Sequence, residues 1–577
     1  MKNSGLIVIV TAAVIMVVIA AGYRISTKRN AAIEAAAAAV IDEHVSLYRP
    51  LEVAWSEAWW EASTTGSEEA YDRMSEAEIA ALKVSSDHDR FEKIESFYKD
   101  RGLKAPALKR QIEILYRDYL TNQLPEELLT EITETKNRAK KGYSTFRPVV
   151  RGDELDPTEV QRILTEETDS ALLEETWKAT KSRAAGIIDD HRKLAKLRNE
   201  AAAQLGFADY YAMAAFALDY DLDWLEEFFT EVAAVTEEPF HALKTGIVDP
   251  ALAAKYGVPV DSLMPWHYGN EYFQATPPGI YELDLDHYYE ALDAEMVLAA
   301  AVDFYRSIGF DISAIIERSS LYPRPGKTPH AHANKMDREK PGTSVLIMNL
   351  PEDPAPQTHD QTSTLVHELS HDIHYEGVDH AMPYLFLDIL SQMTEAYAML
   401  MERQVMTKDW LTHVLGMRAE DAEAASLTAF EMLKAEELIF LRWCLVIYHF
   451  ERTIYKDPDQ DWGDLWWTYK ERFQNLRRPE GWDNPDPLAK YHLAAGRTAY
   501  YNHYAVGRFI AAQVAAEIAE LIDQDPRYAV YYGREEIGHY LTETFFPPGA
   551  KHGWLDNVGI VTGDPLDTKY WKTQILD

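Results

Sequence analysis

"TSTLVHELSHDIHYEG", residues Thr362 to Gly377, contains H-E-x-x-H: His367, Glu368 and His371. On an α-helix, residues four apart stand one above the other on one face. A helix here therefore points two imidazoles at one ion and sets Glu368 beside them, within reach of a water on that ion. This is the arrangement of a zinc peptidase, with the glutamate as general base. Thr and Ser near the start of the stretch and Gly377 at its end fit a helix start and stop. A catalytic zinc needs a third protein ligand and keeps its fourth position for water. Glu395, 24 residues past His371, is offered by the next helical stretch, LSQMTEAYAMLMERQ. The loop GVDHAMP between the two stretches lets the second fold back on the first. Asp388, His374 and His380 compete by residue type. His374 lies three residues after His371, so it is expected on a neighbouring face.

Working outward, TSVLIMNL (Thr343 to Leu350) reads as a strand just before the H-E-x-x-H helix. Helical patterns dominate elsewhere. The alanine-rich stretch from Asn30 to Ala62 contains no glycine and is expected to be helical, and Thr158 to Gly206 reads as a pair of helices. Proline-rich interruptions at QATPPG, YPRPGKTP, PEDPAPQ and RPEGWDNPDP read as loops, because helical periodicity resumes after each. The single cysteine, Cys444, sits in the apolar run LIFLRWCLVIYHF and reads as a buried hydrophobe. No intrachain disulfide is possible.

The chain has 577 residues and a net charge of −37. Such a chain repels nucleic-acid phosphates and anionic lipid heads, so neither is an expected partner. Its 33 Tyr and 14 Trp suit either a large helical core or a peptide-binding channel. Lys2, the apolar run from Leu6 to Tyr23, and Arg24, Lys28 and Arg29 form a secretion signal or a membrane anchor over residues 1–30. Small residues at Ala20, Ala21 and Gly22 permit cleavage. The remainder, 31–577, is read as one mostly helical catalytic domain, exported and either anchored or free.

Around these residues the chain resembles the angiotensin-converting-enzyme family of zinc dipeptidyl carboxypeptidases. DQTSTLVHELSH and TEAYAML resemble the segments that carry its zinc ligands, and the resemblance favours Glu395 as the third. It extends over most of the chain after residue 30 and is closest from about Ser262 to Gln513. It implies a mainly α, large helical ellipsoid with a deep central peptide channel and a small β element near the H-E-x-x-H helix. The segment His330-Ala331-His332-Ala333 resembles the family's substrate grip, which implies that His330 and the backbones of Ala331 and Ala333 hold the peptide. AKYHLAAGRTAYYNHYAVGRFIAAQ resembles a later family segment with two residues inserted. That likeness implies His492 and Tyr504 as oxyanion donors, and Lys490 and Tyr501 as binders of the substrate's terminal carboxylate. GNEYFQ adds Gln274 to the carboxylate binders. The chain departs from the family in lacking disulfides, in about seven extra residues between HAHA and the zinc helix, and at two positions near the site. Met399 stands where the family has an aspartate supporting a zinc histidine, so another carboxylate is needed there. His503 replaces an arginine that helps bind chloride, so chloride activation is not expected.

The resemblance implies one zinc ion and release of C-terminal dipeptides from oligopeptides with a free C-terminus. Two rivals are weighed against it. HELSHDIH also resembles the thimet-type zinc oligoendopeptidases, which cut internally. A membrane-tethered peptide-binding protein with a dead site is the other; the full set of ligand, base and oxyanion residues speaks against it.

Overall fold

The computed structural model describes residues 3–352, 356–494 and 496–577, with side chains from residue 27 onward. Helices make up 68% of it and the sheets are tiny, so the fold is mainly α, and a helical ellipsoid fits it. Helix α1 (Asn3–Thr65) is followed by α2 (Glu68–Ser85), and the two pack as a hairpin. Among the described residues no helix is long and apolar enough to cross a membrane. The expected signal or anchor lies, as far as residue 26, outside the described side chains.

Two short antiparallel pairs interrupt the helices. One joins β1 (Val149–Val150) to β2 (Asp153–Glu154). The stretch expected to be two helices between Thr158 and Gly206 is three: α3 (Pro157–Glu166), α4 (Ser170–Lys181) and α5 (Ile188–Gln204). The break before α4 is set by Asp169, whose carboxylate accepts the Ala171 N–H and restarts the helix as an N-cap.

The second pair joins β3 (His332–Lys335) to β4 (Ser344–Ile347), the strand expected from TSVLIMNL. Its register pairs Ala333 with Leu346 and Lys335 with Ser344. Ser320 bridges the other side of β4 at Ile347. The outer edge of β3 has no strand partner among the described residues.

Helix α6 (His359–Gly377) carries H-E-x-x-H. Thr358 caps it, its hydroxyl accepting the Gln361 N–H. Gly377 ends it where the Phe546 ring lies so close that a Cβ would meet Phe546 Cδ2 at 2.3 Å. Helix α7 (Ser391–Glu402) folds back along α6, as the intervening loop allows. Helix α8 (Ala419–Lys456) and helix α9 (Tyr501–Leu521) complete the surroundings of the site. In α8 the run Leu438–Phe450 is buried on nearly every face, Cys444 included. A helix that is apolar all round must lie in a core rather than on a surface. One large hydrophobic cluster joins residues from Val160 to Ile575, and a smaller one joins α1 to Tyr384 and Leu385.

Candidate metal and peptide site

His367 and His371 project from successive turns of α6, and Glu395 faces them from α7. One ligand atom from each lies within 4.8 Å of the others. The two Nε2 atoms are 3.2 Å apart. Two nitrogens bound tetrahedrally to one zinc would be about 3.3 Å apart, given Zn–N bonds of about 2.0–2.1 Å. Each Nδ1 is already engaged: that of His367 is 2.6 Å from Glu402 Oε2, and that of His371 is 2.7 Å from Thr394 Oγ1. With Nδ1 protonated on both rings, the two Nε2 lone pairs converge on one point, which suits a cation. Glu395 Oε2 is 3.8 Å from His367 Nε2. The residues therefore fit a zinc ion.

Glu402 answers the question raised by Met399. It lies seven residues past Glu395, two turns on, so it falls on nearly the same face of α7. Met399 instead turns toward α9, where a Cβ added at Gly507 would sit 3.6 Å from its sulphur and 3.6 Å from the Cβ of Glu395. Sequence reasoning missed Glu402 because it looked one turn past the ligand; the seven-residue spacing was the available signal.

The competing ligands stand elsewhere. His374 packs among Tyr397, Phe545 and Phe546, where burial pushes it down to about 3. Asp388 lies 3.5 Å from Arg338, and His380 stands beside the backbone of Arg338 and Glu376.

Charge is distributed unevenly over the cluster. Burial alone would lower His367, but Glu402, with Glu368 and Glu395 behind it, carries it up to about 9. Burial and the neighbouring His367 charge drive His371 well below its usual range. Burial raises Glu368, against the pull of His367 and a hydrogen bond from the Ala333 N–H. That hydrogen bond ties the candidate base to β3. Of the other grip residues, Ala331 packs half-buried against the core, whereas the His330 side chain is exposed and makes no direct contact with the cluster among the described residues.

The residues from the AKYH segment gather with one another, and Tyr504 among them senses the Glu395 charge. Tyr504 lies edge-on to Tyr501 at 5.4 Å and to Tyr500 at 5.5 Å. Burial and the nearby Tyr500 and Glu395 raise its phenol, so it stays protonated and able to donate. His492 packs 5.1 Å from Tyr501, and burial and Lys490 hold it down at about 4, so it is neutral at pH 7. Among the described residues its Nδ1 has no partner. Lys490 Nζ donates to Gln274 Oε1 at 2.6 Å, and burial lowers Lys490 to about 8. Trp443 links this pair to Tyr501: Lys490 Nζ lies 5.7 Å from its ring and Tyr501 packs edge-on at 6.1 Å. His503 packs edge-on to Tyr500 at 5.5 Å, and its Nδ1 meets the Tyr220 hydroxyl at 2.9 Å.

Two family matches divide the chain. Residues 31–268 match the family described as angiotensin-converting enzyme, and residues 313–563 match Peptidase family M3. A search of curated proteins finds no match. Both families are gluzincin zinc metallopeptidases, so the chain is a zinc metallopeptidase, consistent with an angiotensin-converting-enzyme-like family.

Proposed function

We propose that this zinc metallopeptidase removes dipeptides from the C-termini of oligopeptides. The observation that carries the reading is the Lys490–Gln274 contact at 2.6 Å, in a half-buried position with Tyr501 nearby. A lysine charge with amide and phenol donors recognises a carboxylate. An endopeptidase has no need of such a pocket.

His367, His371 and Glu395 would hold the zinc, which when bound supplies a Lewis acid and a water acidified toward neutral pH. Glu368 takes the proton from the attacking water and passes it to the leaving nitrogen as the C–N bond breaks. Tyr504 and neutral His492 donate hydrogen bonds to the oxygen on which negative charge develops. The open edge of β3 pairs with the peptide backbone, so that Ala331 and Ala333 hold its register while His330 closes the grip. Chloride has no assigned part. The basic and apolar pattern of residues 1–30 supports export, with the catalytic chain outside the cytoplasm.

A second reading has one observation in its favour: the segment holding the whole zinc cluster matches Peptidase family M3. On that reading the enzyme is a zinc oligoendopeptidase. Paired peptides, one with a free C-terminus and one amidated, separate the two. The proposed reading expects amidation to lower kcat/KM at least tenfold; equal rates would favour internal cleavage.

A further inference from the structure

A cavity of about 440 Å³ opens where β3 passes beneath α1 and α2. It is lined by Asn334 and Lys335 of β3, Tyr375 of α6, and Glu52 and Trp55 of α1. Gln274, Lys490 and Tyr501 do not line it. Lys335 is two residues past Ala333, roughly 7 Å along the strand and on the same side of it. Tyr375 is seven residues past Glu368, about 10 Å along α6 and on nearly the same face. The cavity thus continues the strand and the helix that hold the catalytic carboxylate.

Two of its donors keep capacity for a ligand. Lys335 Nζ donates to the Leu387 carbonyl at 3.1 Å and lies 5.9 Å from the Tyr375 ring. Among the described residues it has no carboxylate within 4.0 Å. Of the acids that line the cavity, Glu52 and Asp388 act on Lys335 through space, but their direct ion pairs are with Arg338. Glu78 acts on Lys136. Asn334 Nδ2 is shielded from water and, among the described residues, has no hydrogen-bond partner. A buried donor left unpaired costs free energy that a ligand acceptor recovers. Burial, and Arg338 beside it, press Lys335 down to about 8, so it is still cationic at pH 7. An ammonium, an amide and a phenol repeat the donor chemistry of Lys490, Gln274 and Tyr501.

We propose that Lys335, Asn334 and Tyr375 form a second carboxylate-recognising pocket, which selects an acidic side chain two or three residues before the cut. The direction rests on the dipeptidyl-carboxypeptidase reading. A peptide whose C-terminus is held by Lys490 can present only residues that precede the cut to this cavity. The occupant is the Asp or Glu side chain of the substrate itself.

The test is a set of peptides identical except for Glu, Gln or Lys at each of the three positions before the cut, with products identified by mass. The intact enzyme is expected to prefer Glu over Gln by about tenfold in kcat/KM at one of these positions, in keeping with a charge-assisted hydrogen bond. Lys335→Met should bring that ratio to one, and Lys335→Glu should reverse it in favour of Lys. Each ratio is taken within one variant, so loss of folded protein cancels. Equal rates for Glu and Gln in the wild type, or an undiminished preference in Lys335→Met, would overturn the pocket. Product masses report separately on the cleavage reading: internal cuts with an intact Lys335-dependent preference would sink the direction while keeping the pocket.

Discussion

Glu402 and Lys490 carry the sharpest expectations at the scale of single residues. Glu402 reaches His367 Nδ1 at 2.6 Å and fixes the tautomer that leaves Nε2 free for a metal. Glu402→Ala should weaken zinc binding by about 10- to 100-fold, read by competition with a chromogenic chelator. Unchanged affinity would show that the contact does nothing for the ligand. Lys490 governs pH dependence. Burial holds it at about 8 in the free enzyme, and a bound carboxylate raises it, so the complex grips the proton more tightly than the free enzyme does. Binding of free-acid peptides is therefore at full strength below pH 8 and weakens as pH rises through 8. KM should climb by up to about tenfold per pH unit in that range. Amidated peptides should show no such rise, and Lys490→Met should flatten the profile while raising KM throughout. A KM indifferent to pH between 7 and 10 would remove Lys490 from the carboxylate pocket.

At the scale of elements, the connection from Lys490 to α9 carries the two-residue insertion. It brings Ala499 to φ 62°, a left-handed conformation that costs a non-glycine residue roughly 1–2 kcal/mol. The turn is held by the buried Glu451 carboxylate, which accepts the Ala499 N–H at 3.1 Å. Ala499→Gly removes the steric cost but adds unfolded-chain entropy and deletes a fully buried methyl, so the terms nearly cancel and a net change within about 1 kcal/mol is expected. Urea unfolding monitored by circular dichroism would measure it, and a loss above about 2 kcal/mol, as for an unstrained buried alanine, would contradict the account. This turn marks one limit of what the sequence discloses. The α6–α7 pair was legible because helical spacing converts directly into ligand geometry, and the β4 strand because its residues are apolar and β-branched. The break at Asp169 was less so: a capping aspartate inside a helical run looks like one more exposed polar residue. Glu402 was hidden for another reason. Its role depends on which face of α7 meets α6, and that is decided by the packing of Met399 against α9 at Gly507.

At the scale of the whole molecule, the two family matches leave residues 269–312 between them, and β3 with the zinc cluster falls inside the second. Gln274 lies between the matched segments, whereas the zinc cluster, Lys490, Tyr501 and Tyr504 lie inside the second. The resemblance read from the motifs was closest over the part of the chain that matches Peptidase family M3, while the angiotensin-converting-enzyme match falls on residues 31–268. Gluzincin peptidases share the ligand spacing, so spacing alone does not separate exopeptidase from endopeptidase. What separates them is the fate of the substrate's C-terminus. The most direct measurement is mass spectrometry of the products formed from a free-acid oligopeptide by the chain from about residue 31, loaded with zinc. The account predicts successive loss of C-terminal dipeptides, stopped by a chelator and nearly abolished in Glu368→Gln, with zinc content retained in that variant. Internal fragments with no dipeptide ladder, or full activity in Glu368→Gln, would contradict it.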